Sequence, residues 1–198
     1  MKKLDVFIAG VGGQGSLTAS MWLGTAAMRA GLPVVVGEIH GMAQRGGIVT
    51  STVRIGSSWG PIISAGKADV VLGFEPVETW RGMPMASPDT LVISNTRPMV
   101  PATVSMKGDR YPDSDEVMAE LKKISHWVIP LDATGVASEA GNALASNSVL
   151  LGVLAGTGSL PFDSDLLRDL ILESVPSKAV DVNRDAYRRG FELGREAA

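Results

Sequence analysis

The run Leu4-Asp5-Val6-Phe7-Ile8-Ala9 passes without a break into Gly10-Val11-Gly12-Gly13-Gln14-Gly15, and then into residues 16–30, which are rich in alanine, leucine and methionine. A short apolar run ending at glycine reads as a buried strand. The residue types that follow favour helix, and Gly31 is a natural C-terminal stop. Pro33-Val34-Val35-Val36 then predicts a second buried strand. Strand, glycine turn, helix and strand within roughly thirty residues define a βαβ unit, which commits the chain to an α/β architecture.

The remaining pattern extends that frame. Residues 37–47 are crowded with glycine and predict a loop. Residues 48–55 mix Val, Thr and Ile and predict a strand, with a turn at Gly56-Ser57-Ser58 and a short hairpin return over 59–63. Strands of the parallel type are predicted at 69–74 and 90–94, separated by a helical turn at 76–81. Residues 95–112 hold Pro98, Pro101 and Pro112 and predict a loop with an edge strand near Val104. A helix over 115–123 leads to a strand over 126–131. From Ala133 onward the signals are helical: 147–154, a helix capped at Pro161-Phe162-Asp163 and running to Ser174, and 183–195. There are no internal repeats and no linker. The expectation is one domain over 1–198, a three-layer Rossmann-like α/β fold with a mainly parallel sheet, helices on both faces and a helical C-terminal region.

Glycines at a strand-to-helix turn permit positive φ, let a ligand approach the backbone and allow close helix packing. Free N–H groups at the helix start favour an anion, usually a phosphate. Gly10, Gly12, Gly13 and Gly15 are placed for this and match G-x-G-x-x-G, with Glu38 about twenty residues on, where an acid binds a ribose hydroxyl. That pattern leaves two readings open, a dinucleotide site and a tight turn. The next loop is not what an adenine-ribose pocket needs. It presents His40, Gln44 and Arg45 among glycines, and Arg45 before Gly46-Gly47 offers an unobstructed planar fork to a carboxylate or phosphate. In an open parallel sheet the loops after the first two strands emerge side by side. The ordinary readings are that His40 bonds to backbone and that Arg45 pairs with Glu38.

Several classes fall away. Lys and Arg number 18 against 21 Asp and Glu, a net charge of -3, with no basic run, so nucleic acid is not an expected partner. The chain has no cysteine, which removes disulfides, thiolate nucleophiles and cysteine-ligated iron–sulfur clusters from its own repertoire. His40 and His126 lie far apart, so a histidine-rich metal site is not expected. Asp5 interrupts the first apolar run and no cleavage signal follows, and the apolar run at 149–155 is too short for a bilayer, so no membrane association is expected. A reducing cytoplasm fits. No Gly-Asp-Gly segment of the kind that holds magnesium diphosphate in thiamine enzymes is present.

Taken together, Gly10-Val11-Gly12-Gly13-Gln14-Gly15, Glu38-Ile39-His40-Gly41-Met42-Ala43-Gln44-Arg45-Gly46-Gly47 and Val53-Arg54-Ile55-Gly56 resemble the γ domain of 2-oxoacid:ferredoxin oxidoreductases. The His-Gly-Met-Ala-Gln-Arg-Gly-Gly form is most similar to the β subunit of indolepyruvate oxidoreductases. Ala140-Gly141-Asn142, Asn147, Leu151-Gly152 and residues 183–190 look like the same family, so the resemblance spans nearly the whole chain. It implies a complex that decarboxylates a 2-oxoacid, forms an acyl-CoA and reduces ferredoxin, with this chain inactive alone. Thiamine diphosphate, Mg2+ and the iron–sulfur clusters belong to a large catalytic subunit, coenzyme A is a cosubstrate, and no cofactor is held tightly here. Gly10, Gly12, Gly13, Gln14, Gly15, His40, Gln44, Arg45, Gly46, Gly47 and Asn142 are the expected surface for coenzyme A, substrate or the partner; no residue is assigned as catalytic. In isolation a homodimer is possible. The competing readings are a stand-alone NAD(P)- or flavin-dependent dehydrogenase and a non-catalytic interaction module.

Overall fold

The computed structural model describes residues 3–41, 47–56, 59–100 and 110–198. Six strands form one sheet: β1 (Leu4–Val11), β2 (Val34–His40), β3 (Ile48–Ile55), β4 (Val70–Gly73), β5 (Leu91–Asn95) and β6 (Trp127–Leu131). Their order is β2-β3-β1-β4-β5-β6. β1, β4, β5 and β6 pair in parallel, whereas β3 is antiparallel to both β1 and β2. Only β3 is reversed among these six, so the sheet is mainly parallel as expected.

Three features depart from the sequence reading. β1 and β2 point the same way, but β3 lies between them, so the first two strands are not neighbours. β2 also continues through Gly37, Glu38, Ile39 and His40, where a loop was expected. These residues pair with Thr52, Ser51, Thr50 and Val49. The β-branched run of β3 offers a full ladder on both its edges, which holds Gly37 extended despite its weak strand preference. Pro61 occupies the space a side chain at Gly37 would need. The expected return strand over 59–63 does not form. Instead the Thr52 hydroxyl donates to Pro61 O at 2.7 Å, and Arg54 Nη1 donates to Gly60 O and Ile62 O at 3.0 Å each. The edge strand expected near Val104 lies outside the described residues.

The seven α-helices among the described residues divide between the two faces of the sheet. On one face α1 (Ser16–Arg29), α4 (Ala133–Glu139), α5 (Ser146–Gly156), α6 (Ser164–Ser174) and α7 (Val180–Ala197) pack on Val6, Ile8, Val53, Ile55, Leu72 and Ile93. On the other, α2 (Pro76–Gly82) and α3 (Ser114–Ile124) bring Val77, Val117, Met118 and Leu121 against Val71 and Val92. Strands covered on both faces need apolar residues at successive positions, which is why β4 and the first three residues of β5 read as continuous apolar runs, and both strands are buried throughout.

The helical C-terminal region has its own logic. Residues 147–155 of α5 are buried on every side, so α5 is an interior helix and carries no polar stripe. It meets α7 backbone to backbone. Gly152 and Gly156 on α5 face Gly190 and Gly194 on α7, and at each of the four a Cβ would run into a backbone atom of the other helix. Ser148 Oγ donates to Asn183 Oδ1 at 2.7 Å across the same contact. Asp163 caps α6, as the sequence predicts, by accepting from the Asp165 N–H at 3.0 Å.

Candidate functional site

The glycine turn stands at the carboxyl end of β1, at the point where the strand order reverses between β1 and β4. Gly13 and Gly15 hold φ values of 102° and 79°, a region that L side chains avoid, and Gly15 is the N-cap of α1. Among the described residues no side chain caps α1, so its first-turn N–H groups have no capping acceptor there. This is the arrangement that favours an anion. Asn147, at the start of α5, donates Nδ2 to Gly15 O at 3.0 Å, and its buried Oδ1 has no hydrogen-bond partner among the described residues.

Gln14 does something different from what was expected of it. Its Oε1 accepts the Val11 N–H at 2.9 Å and its Nε2 donates to Phe74 O at 3.0 Å. The side chain therefore bridges the crevice between β1 and β4 and is committed to the fold. Asn95, at the end of β5, continues this polar belt by donating to the same Phe74 O at 3.1 Å and to Thr134 Oγ1 at 3.1 Å, while the Ala133 N–H donates to its Oδ1 at 3.0 Å. Gly10 packs its bare backbone against Gln14 and Phe74.

The second loop does meet the first. The Gly12 N–H donates to Gly47 O at 2.8 Å, and the Gly41 N–H donates to Ile48 O at 2.8 Å, closing the neck between β2 and β3. Gln44, Arg45 and Gly46, singled out in the sequence, lie outside the described residues. His40 Nε2 lies 3.3 Å from Glu38 Oε2, and the Ser51 hydroxyl donates to Glu38 Oε1 at 3.3 Å. Glu38 is thus engaged by its own hairpin. Because β3 intervenes, it also stands two strand spacings, roughly 9–10 Å, from β1. A ribose-binding acid belongs on the strand next to β1, so Glu38 does not complete a dinucleotide site. Asn142 is not drawn into this group by any contact; its Oδ1 accepts the Leu144 N–H at 3.0 Å and caps the short 3-10 turn Ala143–Ala145.

One cluster escaped the sequence reading. Glu75 follows β4, is fully buried, and accepts the Glu78 N–H at 2.9 Å on one oxygen and the Tyr111 hydroxyl on the other. Glu78 is nearly as buried and pairs with Arg81 at 2.5 Å. Burial pushes the Glu78 carboxyl above its ordinary range, against the pull of Arg81, and the Tyr111 phenol is pushed up by burial and by the Glu75 charge. Beside them opens a cavity of about 650 Å³ lined by Val77, Trp80, Arg81, Tyr111 and Val117 among others. An acid before a proline is a legible helix start; the partner Tyr111, 36 residues away, is not.

A glycine-shaped helix start bonded to a second glycine loop thus stands at the carboxyl edge of the sheet of an α/β protein, with Gln14 bridging β1 and β4 and Glu38 two strands from β1, where the acid of an ordinary dinucleotide site does not stand. The chain belongs to the pyruvate ferredoxin/flavodoxin oxidoreductase family, a match that runs over residues 5–193. It is 45% identical, over 96% of its length and 94% of the relative's, to the indolepyruvate oxidoreductase subunit IorB of Archaeoglobus fulgidus. It is 29% identical to the ketoisovalerate oxidoreductase subunit VorA of Methanothermobacter marburgensis, in which the match takes in 98% of this chain and 37% of the relative. The gamma subunit of a keto/oxoacid ferredoxin oxidoreductase from Geobacter sulfurreducens shares the fold, with a TM-score of 0.69 at 21% identity over 98% of this chain and 99% of that one. No helix among the described residues is long and apolar enough to cross a membrane.

Proposed function

We propose that this chain is the small, γ-type subunit of a 2-oxoacid:ferredoxin oxidoreductase with aryl pyruvates such as indolepyruvate as its substrate class. In this reading the complex decarboxylates the oxoacid, forms the acyl-CoA and reduces ferredoxin in the cytoplasm. Thiamine diphosphate, Mg2+ and the iron–sulfur clusters sit on a large catalytic subunit. This chain has no cysteine to ligate a cluster and, among its described residues, no group of acids and histidines gathered for a metal. Its own share is to close one side of the active site and to hold an anionic part of coenzyme A or of the substrate.

The observation that carries this is the start of α1, shaped by Gly13 and Gly15, without a side-chain cap among the described residues and bonded through Gly12 to Gly47 of the second loop. Backbone N–H groups fixed in advance recognise a phosphate or carboxylate without reorganising. The Arg45 guanidinium, two residues before Gly47, is the side chain to add a bidentate contact. The position of Glu38 and the commitment of Gln14 speak against the stand-alone dehydrogenase.

The test is coenzyme A titration into the assembled complex with two variants. Gly13→Ala adds a Cβ that meets nothing within 4 Å, so it perturbs the turn's backbone and not its packing. Arg45→Ala removes the fork. Each is expected to weaken coenzyme A by about tenfold or more, on the scale of one charge-assisted contact. Unchanged affinity and turnover in both would sink the assignment of the loops.

A further inference from the structure

Among the described residues, β2 is an open edge of the sheet and pairs only with β3. Of the devices that keep edges from pairing it has one acid, Glu38, but Val34–His40 contains no proline and no lysine, and its ladder with β3 runs without a bulge. The opposite edge strand, β6, carries Pro130, which has no N–H to offer a further strand. At this open edge lie two of the most exposed apolar side chains among the described residues, Ile39 and Ile62, at 74% and 81% exposure. Ile39 and Ile62 border an apolar cavity of about 390 Å³ with Phe7, Pro61, Ile63 and Met85.

These side chains are held out by a built support. Arg54 clamps Asp5 through two 3.0 Å contacts, and the same guanidinium holds the carbonyls of Gly60 and Ile62. Thr52 holds the carbonyl of Pro61 between them, and Ile63 turns into the core. The segment is thereby pre-ordered with Ile62 outward, which lowers the entropy cost of docking. The Asp5 and Arg54 charges offset one another, and Ser51 and His40 engage the Glu38 carboxylate, so these described charges of the patch are paired. A neutral apolar centre of this kind is what the buried middle of a protein interface presents.

We infer that the face made by Ile39, Ile48, Pro61 and Ile62, with the open edge of β2, is the docking surface for the large catalytic subunit; this rests on the function proposed above. Two observations select that occupant. Ile39 and Ile48 stand at either side of the neck that carries the second glycine loop, and that loop is bonded to the glycine turn. A protein placing its active site against the glycine loops comes up beside both isoleucines. In the longer ketoisovalerate relative the region matching this chain is only 37% of the polypeptide. The indolepyruvate relative, matched over 94% of its own length, is a subunit by name, so its hold on a partner has to come from its surface.

The experiment is co-purification of tagged full-length chain co-expressed with the large subunit, with bound iron and thiamine measured. Ile39→Lys and Ile62→Glu alter exposed side chains, and their unchanged melting temperature as isolated chains checks folding; Met28→Lys, on the exposed side of α1, is the control. Wild type and M28K are expected to retain the large subunit, and the two patch variants to recover about tenfold less of it. Full retention by both patch variants overturns the inference and leaves the proposed function standing. A wild-type chain that retains no iron- or thiamine-bearing partner overturns both. If I62E instead converts a dimer of this chain to monomers while the complex stays intact, the face joins copies and the inference fails.

Discussion

At the residue scale, Glu78 carries a charge that the fold disfavours. Its carboxyl is buried beside fully buried Glu75, and Arg81 offsets only part of the cost. The native state therefore binds this proton more tightly than the unfolded chain does. The contribution to stability is present at low pH, near the ordinary carboxylate value of about 4.5, and is lost as pH rises through the elevated native value. Melting curves of wild type and Glu78→Gln over about pH 4.5 to 7 should show the difference moving in favour of the wild type as the solution is acidified. A difference that does not change with pH would mean that Arg81 neutralises the site completely. Residue chemistry of this kind was only half visible beforehand. Glycines at 10, 12, 13 and 15 announced a strand-to-helix turn because the requirement for positive φ is local. Gln14 gave no sign that its amide would serve Val11 and Phe74, since one of those partners is sixty residues distant.

At the element scale, the pair α5 and α7 packs through its four glycines, so the helix axes approach as closely as backbones allow. Gly190→Ala places a methyl group where Val149 O now stands, and neither atom belongs to a flexible side chain. Alanine is the better helix former by about 1 kcal/mol, yet overpacking here is expected to cost at or above the upper end of the usual ~1–3 kcal/mol. Urea unfolding monitored by circular dichroism reads the net; a variant as stable as the wild type would show that the helices can part without penalty. The elements themselves were largely legible. Apolar periodicity located β1, α1, β4, β5 and α6, and Asp163 marked the start of α6 to the residue. The strand order was not legible. Nothing local in residues 48–55 states that they will insert between β1 and β2, because pairing partners are chosen by the whole sheet. Gly37 misled for a related reason: a residue that weakens an isolated strand is tolerated where β3 supplies a ladder and Pro61 fills the vacant space.

At the scale of the whole molecule, stability is expected to grade across the sheet. β1 and β4 are hydrogen-bonded on both sides and covered on both faces, whereas β2 is bonded on one side and half open. Amide exchange in the isolated chain should be slowest in β1, β4 and β5 and markedly faster in residues 34–40. Mass spectrometry of peptides spanning β2 would show it; equal protection in β1 and β2 would contradict the picture of an open edge. This gradient also explains why the candidate site was harder to read than the fold. The glycine turn and the His40 hairpin each belong to a local motif, but their meeting through Gly12 and Gly47 depends on the reversed strand between them. The meeting of the two loops is a property of topology.

The filled crevice between β1 and β4 has a consequence for anyone wishing to redesign this scaffold. Installing an acid beside β1 to court a ribose would accomplish nothing while the Gln14 amide still spans that gap. Shortening Gln14 would clear the space, but it would also strip the amide of Val11 of its partner and leave the carbonyl of Phe74 to Asn95 alone. The scaffold is thus guarded against acquiring a nicotinamide nucleotide by a single side chain whose removal weakens the frame that the nucleotide would need.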